Sequence, residues 1–406
     1  MALLARLAAA AGLACVLATP ALAQNSSTAL NGQLNWGDVV ADINVVTRDG
    51  ARSGVAAATA AGNSVSGSNA NGGLDAESDQ TNSGATFALA TLEGGDVRDA
   101  SVIATAQSNA LQAQTTNGPL NLRASQTADG GDVLASARAN IRNGQTLSAV
   151  ASSASNNAAT AADHGDLNVA LTQTASNSSY AVTDVDACCV SQTVAGSSSA
   201  INAYGSASTT STVDATYTQT STGAQSQATA DVYQYQGYNV TAASTAAANS
   251  AAVSNEWGYA QIRGRQSSST NVAADTRVTL GQWSQGAASV SAYGVGNATL
   301  ATNVGSDMVL DVSQLNTGGV DANAQFDAQN GNGGDVVAAS TAIGNAVTGY
   351  VCSQCGDAAL HATVNQTNGG NITSTGSISV NGAGAIYGSA SAIGNSATFI
   401  STQRNN

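Results

Sequence analysis

The sequence predicts an all-β fold, a repetitive β-solenoid of parallel stacked coils, and three observations point there. Two residue landmarks recur in phase about every 47 positions. Apolar and polar residues alternate with a period of two ahead of one landmark. The apolar content of 43% is carried mostly by small side chains: 82 of 406 residues are Ala, against 3 Trp, 10 Tyr and 3 Phe. A globular enzyme core packed at crystal-like density needs more bulk than this.

In chain order, Met1–Arg6 makes a short positive start, Leu7–Leu17 an apolar stretch, and Ala21-Leu22-Ala23 a small-residue cleavage site. Residues 1–23 therefore read as a secretory signal peptide, with cleavage after Ala23 leaving Gln24 first. Residues 24–406 form the repeat domain. No later segment is long and apolar enough to span a membrane as a helix. The chain has 11 Arg, no Lys and 25 acids, a formal net charge of −14. Nucleic acid is not expected as a partner, because phosphate neutralisation needs a basic face.

The first landmark is Gln33, Gln80, Gln126, Gln173, Gln219, Gln266, Gln314 and Gln366, and the eight units start near these positions. The second is the Asn that ends a run of small residues: Asn63, Asn109, Asn157, Asn202, Asn249, Asn297, Asn345 and Asn395. Ahead of each Gln, residues of one parity are apolar, as in Leu120, Leu122 and Ala124 or Leu167, Val169 and Leu171. The other parity is wet: Asp75, Glu77, Asn121, Arg123, Asn168, Asp214, Arg263, Asp311 and His361. These are strands with one inner face, and the Gln belongs to it. A buried amide needs partners, which a Gln one layer above and below supplies as a structural ladder. Asn117-Gly-Pro119 and His164-Gly-Asp166 supply turns between strands, and the Gly-Asn pairs ending the small-residue runs are a further place for a turn.

About four short strands per unit make two coils of roughly 23 residues, and sixteen layers at about 4.8 Å make a rod of the order of 75 Å. The half-unit after Asn395 is expected to cap the stack or to offer a docking edge, since an open end invites another chain to add.

No catalytic, cofactor or metal site is expected. His164 and His361 occupy different phases of the repeat, and the three Gly-Gly-Asp motifs, at residues 94–96, 130–132 and 333–335, do not share one. Cys188, Cys189, Cys352 and Cys355 in an exported chain suggest disulfides, with a 352–355 bridge, a vicinal bridge and cross-pairs all open. Tyr233 and Tyr235 share one face of a strand and offer a platform for sugar rings or a partner; filling a wider part of the stack is the alternative.

An exported, Lys-free chain rich in Ala, Ser, Asn and Gln with stacked amide landmarks resembles the curli-related surface adhesins, and most closely the HfaD-like holdfast-anchoring proteins of stalked bacteria. Curlin repeats are about half this unit, and only Gln366-Thr-Asn-Gly-Gly-Asn371 keeps their spacing. The resemblance implies a non-catalytic cell-surface or outer-membrane-associated anchor for extracellular polysaccharide. It also implies other exported subunits and a curli-type outer-membrane secretion pore as partners, with possible self-association. A curlin-like fibre subunit is the alternative. A secreted β-helix enzyme degrading polysaccharide is the third reading, and it requires carboxylates or basic residues clustered in a groove on one solenoid face.

Overall fold

The computed structural model describes residues 26–402 except 49, 284, 329, 331–332 and 353–357. The predicted cleavage site at Ala23 and Gln24 lies outside the described residues, as does Cys355. The chain winds as a β-solenoid of parallel strands, and its register decides what one coil is. Ala76 pairs with Ala29 on one side and Leu122 on the other, and Gln80 sits between Gln33 and Gln126. Equivalent residues in successive coils are therefore 46–52 positions apart.

Each unit is thus one coil, not two, and the stack has eight coils, about 38 Å tall at about 4.8 Å each. The expectation of sixteen layers failed because the small-residue strand does not end at its Asn. It runs straight through, so each unit closes in one long circuit.

Eight short strands form one sheet: β1 (Ser26–Asn35), β4 (Gly73–Asn82), β6 (Leu120–Ala128), β8 (Leu167–Ala175), β10 (Val213–Ser221), β12 (Ala260–Ser268), β15 (Met308–Asn316) and β18 (Leu360–Asn368). The rest of each coil makes a second sheet. In the middle coils it is one long strand, β5 (Thr86–Thr116), β7 (Val133–Asp163), β9 (Ser179–Thr209) or β11 (Gln225–Glu256). Elsewhere it breaks at the corner into two: β2 (Val39–Thr47) and β3 (Ala51–Asn69), β13 (Asn271–Trp283) and β14 (Ala288–Val304), β16 (Val320–Ala328) and β17 (Val336–Cys352), β19 (Ile372–Val380) and β20 (Ile386–Thr402).

The path of one coil follows from which side chains meet. In β9, Thr183 Oγ1 donates to Gly196 O and Ser199 Oγ to Ser179 O, so the start of the strand lies against its own middle. Gln173 on β8 reaches Ala203 O on the later part of β9. The short strand and the outgoing arm therefore lie end to end in one layer, and the return arm covers both.

Two apolar columns fill the space between the layers. One, between outgoing and return arms, is lined chiefly by alanine, including Ala88, Ala90, Ala104, Ala106, Ala149 and Ala151. The other, behind the short strands, holds Leu120, Leu171, Tyr217, Ile262, Met308 and Leu310. Large inward residues are accommodated by glycine in the adjoining coil. Tyr217 is in register with Gly264, where a Cβ would meet the tyrosine ring at 2.4 Å.

The Gly-Asn pairs are not turns. Gly62, Gly296 and Gly344 lie inside continuous strands without positive φ, and a Cβ on them would come within 2.5–2.7 Å of Asn82, Asn316 or Asn368 or a neighbouring backbone carbonyl. Their role is space. Left-handed residues instead stack at the corner leading into the short strands: Asn117, His164, Thr210, Trp257 and Gly305. Residues 396–402 continue β20 and pair with β17 rather than capping the stack.

Candidate functional site

The middle of each coil, between the two apolar columns, is polar. Gln80 Nε2 donates to Gln33 Oε1, and the pattern continues through Gln126, Gln173, Gln219, Gln266, Gln314 and Gln366 at 2.7–3.0 Å. Every one of these amides also donates across the core to a carbonyl of the return arm, from Ser64 in the first coil to Ser396 in the last.

The asparagine column runs the other way, each Nδ2 donating forward at 2.8–2.9 Å, from Asn63 to Asn109 and on through Asn202, Asn249, Asn297 and Asn345 to Asn395. Its third member is Asn156, not Asn157. Asn156 is fully buried between Asn109 and Asn202, while Asn157 contributes its backbone oxygen to Gln126. In Asn156-Asn157 the small-residue run offers two candidates, and spacing alone selects the wrong one. Each Asn before the last also donates to the carbonyl that follows a Gln of the next coil, such as Thr127 or Thr174. Within inner coils the amide nitrogens therefore make two donations apiece, which is what a buried amide requires.

On the outside of the short-strand sheet lies an open groove of about 630 Å³. It is lined by the wet parity of the strands, notably Asp75, Glu77, Asn121, Arg123, Asp214 and Arg263. Asn168 Nδ2 donates to Asn121 Oδ1 at 2.8 Å, Asn121 Nδ2 to Asp75 Oδ1 at 2.6 Å, and Arg263 to Asp214 at 2.8 Å. Strand stacking holds these planar groups in a row about 4.8 Å apart. Such a row of forked donors and acceptors suits vicinal hydroxyls and carboxylates on a polymer running along the stack.

The sequence assigned these residues to the outer face but not to a shared groove. The overlooked signal was planar polar side chains on the wet parity of consecutive units. Carboxylates do cluster here, but Asp75 and Glu77 are exposed and Asp214 is held by Arg263. Asp75 and Asp214 are three coils apart, about 14 Å, whereas Asp75 and Glu77, alternate residues of β4, are about 7 Å apart, within the range of an inverting pair but both open to solvent.

The remaining predicted residues are scattered. Tyr233 and Tyr235 are exposed on the outgoing arm of β11, on the other half of the layer from the groove. Gln282 Nε2 donates to Tyr235 Oη. They do not fill the stack; that is done by Tyr204 and Tyr217, with rings 5.8 Å apart. Burial pushes both phenols above their ordinary pKa.

His164, in its left-handed turn, sits 2.8 Å from Asp163, and His361 is exposed on β18 in the last coil. The structure does not bring the two together. Cys188, Cys189 and Cys352 are free thiols in this structure, so neither a vicinal bridge nor a cross-pair forms. The first two sit near the corner between outgoing and return arms, whereas Cys352 ends a return arm at the opposite end of the coil. Burial and the adjacent Cys188 push the Cys189 thiol up to about 11.

Comparisons with curated proteins and with solved structures give no match. The family model for holdfast attachment protein D matches residues 48–319, which span the stack from the first coil to the turn after the seventh short strand. With that match over more than half its length, the chain belongs to the holdfast attachment protein D (HfaD) family.

Proposed function

We propose that the protein is an exported, non-catalytic anchor at the cell surface, which attaches an adhesive polysaccharide, the holdfast, to the envelope. Membership of a holdfast attachment family carries this reading. The polar groove on the short-strand sheet supports it, as a surface on which many weak contacts repeat along one polymer. Contacts of that kind become strong together through multivalency. The net charge of −14 disfavours a strongly acidic polymer held by charge alone, so hydrogen bonding from the Asn and Arg rows is the attachment chemistry.

Export through a curli-type outer-membrane pore and contact with other exported subunits belong to the same reading. The test is deletion of the gene. Cells should lose surface attachment while adhesive material accumulates in the medium; unchanged attachment would refute the anchor. Loss of attachment with no adhesive anywhere would instead assign the protein to synthesis of the polysaccharide.

A further inference from the structure

The two ends of the stack are open and complementary. Coil 1 leaves Leu30, Leu34, Trp36, Val40, Val46 and Val55 exposed, and coil 8 leaves Ile386, Tyr387, Phe399 and Ile400 exposed. Natural sheet edges are usually protected by charge. Coil 8 has none: between Ala358 and Thr402 there is no Asp, Glu, Lys or Arg, in a chain with 36 charged residues.

The ladders also end unsatisfied, with matching polarity. Among the described residues, Gln366 donates twice but nothing donates to its Oε1, whereas Gln33 donates only to Ser64 O and keeps one N–H without an acceptor. Among the same residues, Asn395 accepts from Asn345 and its Nδ2 has no acceptor, whereas Asn63 donates twice and its Oδ1 has no donor. A third column carries an amide pair at each end only, with Ala128, Ala175, Ser221 and Ser268 between. Asn35 donates forward to Asn82, and Asn316 to Asn368, so Asn35 Oδ1 at the bottom matches Asn368 Nδ2 at the top.

We propose that a second copy of this chain stacks coil 1 on coil 8, continuing the solenoid head to tail in the same register. Gln33 of the incoming copy then donates to Gln366, Asn395 to its Asn63, and Asn368 to its Asn35, so the two ladders pass through the joint and the end pairs of the third column meet there. Shape agrees. Phe399 lies over Gly349, and the same column begins with Gly67, so at the joint the ring is flanked by glycine on both sides. This repeats the Tyr217–Gly264 arrangement inside the stack.

The joint adds about thirty backbone hydrogen bonds, one per paired residue. A layer about 60 Å long and 10 Å deep on each partner buries of the order of 1,200 Å², within the range of a specific interface. The contact is heterologous, so it propagates rather than closing. It does not depend on what the groove binds.

The test uses outward positions that become direct neighbours only at the joint: Val40 with Thr373, and Val55 with Tyr387. The purified exported protein should form rods of constant width, with lengths in steps of about 38 Å by electron microscopy. The variant V40K/V55K/T373K/Y387K, with lysine facing lysine, should associate at least about tenfold more weakly by sedimentation, and 0.5 M salt should narrow the gap. The variant V40E/V55E/T373K/Y387K should regain wild-type association. Circular dichroism and thermal unfolding of monomeric samples verify that both variants fold. A wild-type protein that stays monomeric at tens of micromolar overturns the proposal. So does equal association of the two folded variants.

Discussion

The two halves of each coil solve one packing problem with different residues, and the difference explains why the chain is so rich in alanine. Behind the outgoing arm the layers meet chiefly through Ala88, Ala90, Ala104, Ala106 and their equivalents, with larger residues such as Leu92, Ile141 and Trp283 at intervals. Behind the short strands the same return arm packs against Leu120, Leu171, Tyr217 and Met308. The amide seam lies between, and its hydrogen bonds hold both halves to one register. A thin alanine column is adequate only because it is rebuilt in every coil and stitched along one edge.

The seam should therefore be the most sensitive part. Gln173→Leu removes two donations and one acceptance, stranding Gln126 Oε1, Ala203 O and a Gln219 N–H in the core. At about 1–3 kcal/mol for each of the three stranded groups, the expected loss is about 3–9 kcal/mol by denaturant unfolding. A loss below about 1 kcal/mol would mean that the ladder is ornamental.

Opposite substitutions should sharpen the contrast between halves. Leu171→Ala in the wide half leaves a cavity and should cost about 2–5 kcal/mol. Ala149→Leu, fully buried in the alanine half, should cost about 1–3 kcal/mol by forcing the layers apart. Ala→Leu at Ala215, in the wide half, should cost less than at Ala149. Equal costs would show the two halves to be equally tight.

Smaller effects concern the corners and the outer face. Thr210 holds a left-handed φ of 63° in a column where Asn and Gly also occur. Thr210→Asn should raise stability by about 1 kcal/mol, read as a higher Tm. On the outgoing arm, Asp231 is in register with Asp184, and burial followed by that neighbour raises its pKa despite Arg277. A raised folded-state pKa means that the folded chain binds the proton more tightly, so this group's contribution to stability falls as pH rises through that pKa. Asp231→Asn should give a slightly higher Tm at pH 7 and a flatter acid limb of the Tm–pH profile above the ordinary carboxylate pKa.

The period, the parity of the short strands and the Gln column are legible in the sequence because each is dictated by one buried environment repeated eight times. The number of coils per unit was not. Strand ends were inferred from Gly-Asn, where glycine serves to admit Asn82 or Asn368 rather than to turn the chain. Asn156 was hidden by its neighbour Asn157, both being spaced acceptably from Asn109. The outer groove escaped because its residues vary from coil to coil, Asp75, Asn121, Asn168 and Asp214 sharing planar polarity but no single type.

The claim that the outer face of the short-strand sheet carries the adhesive is tested most directly by binding. Purified protein would be titrated against adhesive polysaccharide shed by the deletion strain, comparing wild type with D75A/R123A/D214A/R263A and with Y233A/Y235A. The account predicts that wild type and the tyrosine variant bind alike and that the groove variant loses at least about tenfold in affinity while keeping its β-sheet spectrum. Undiminished binding by the groove variant, or loss confined to the tyrosine variant, would contradict it.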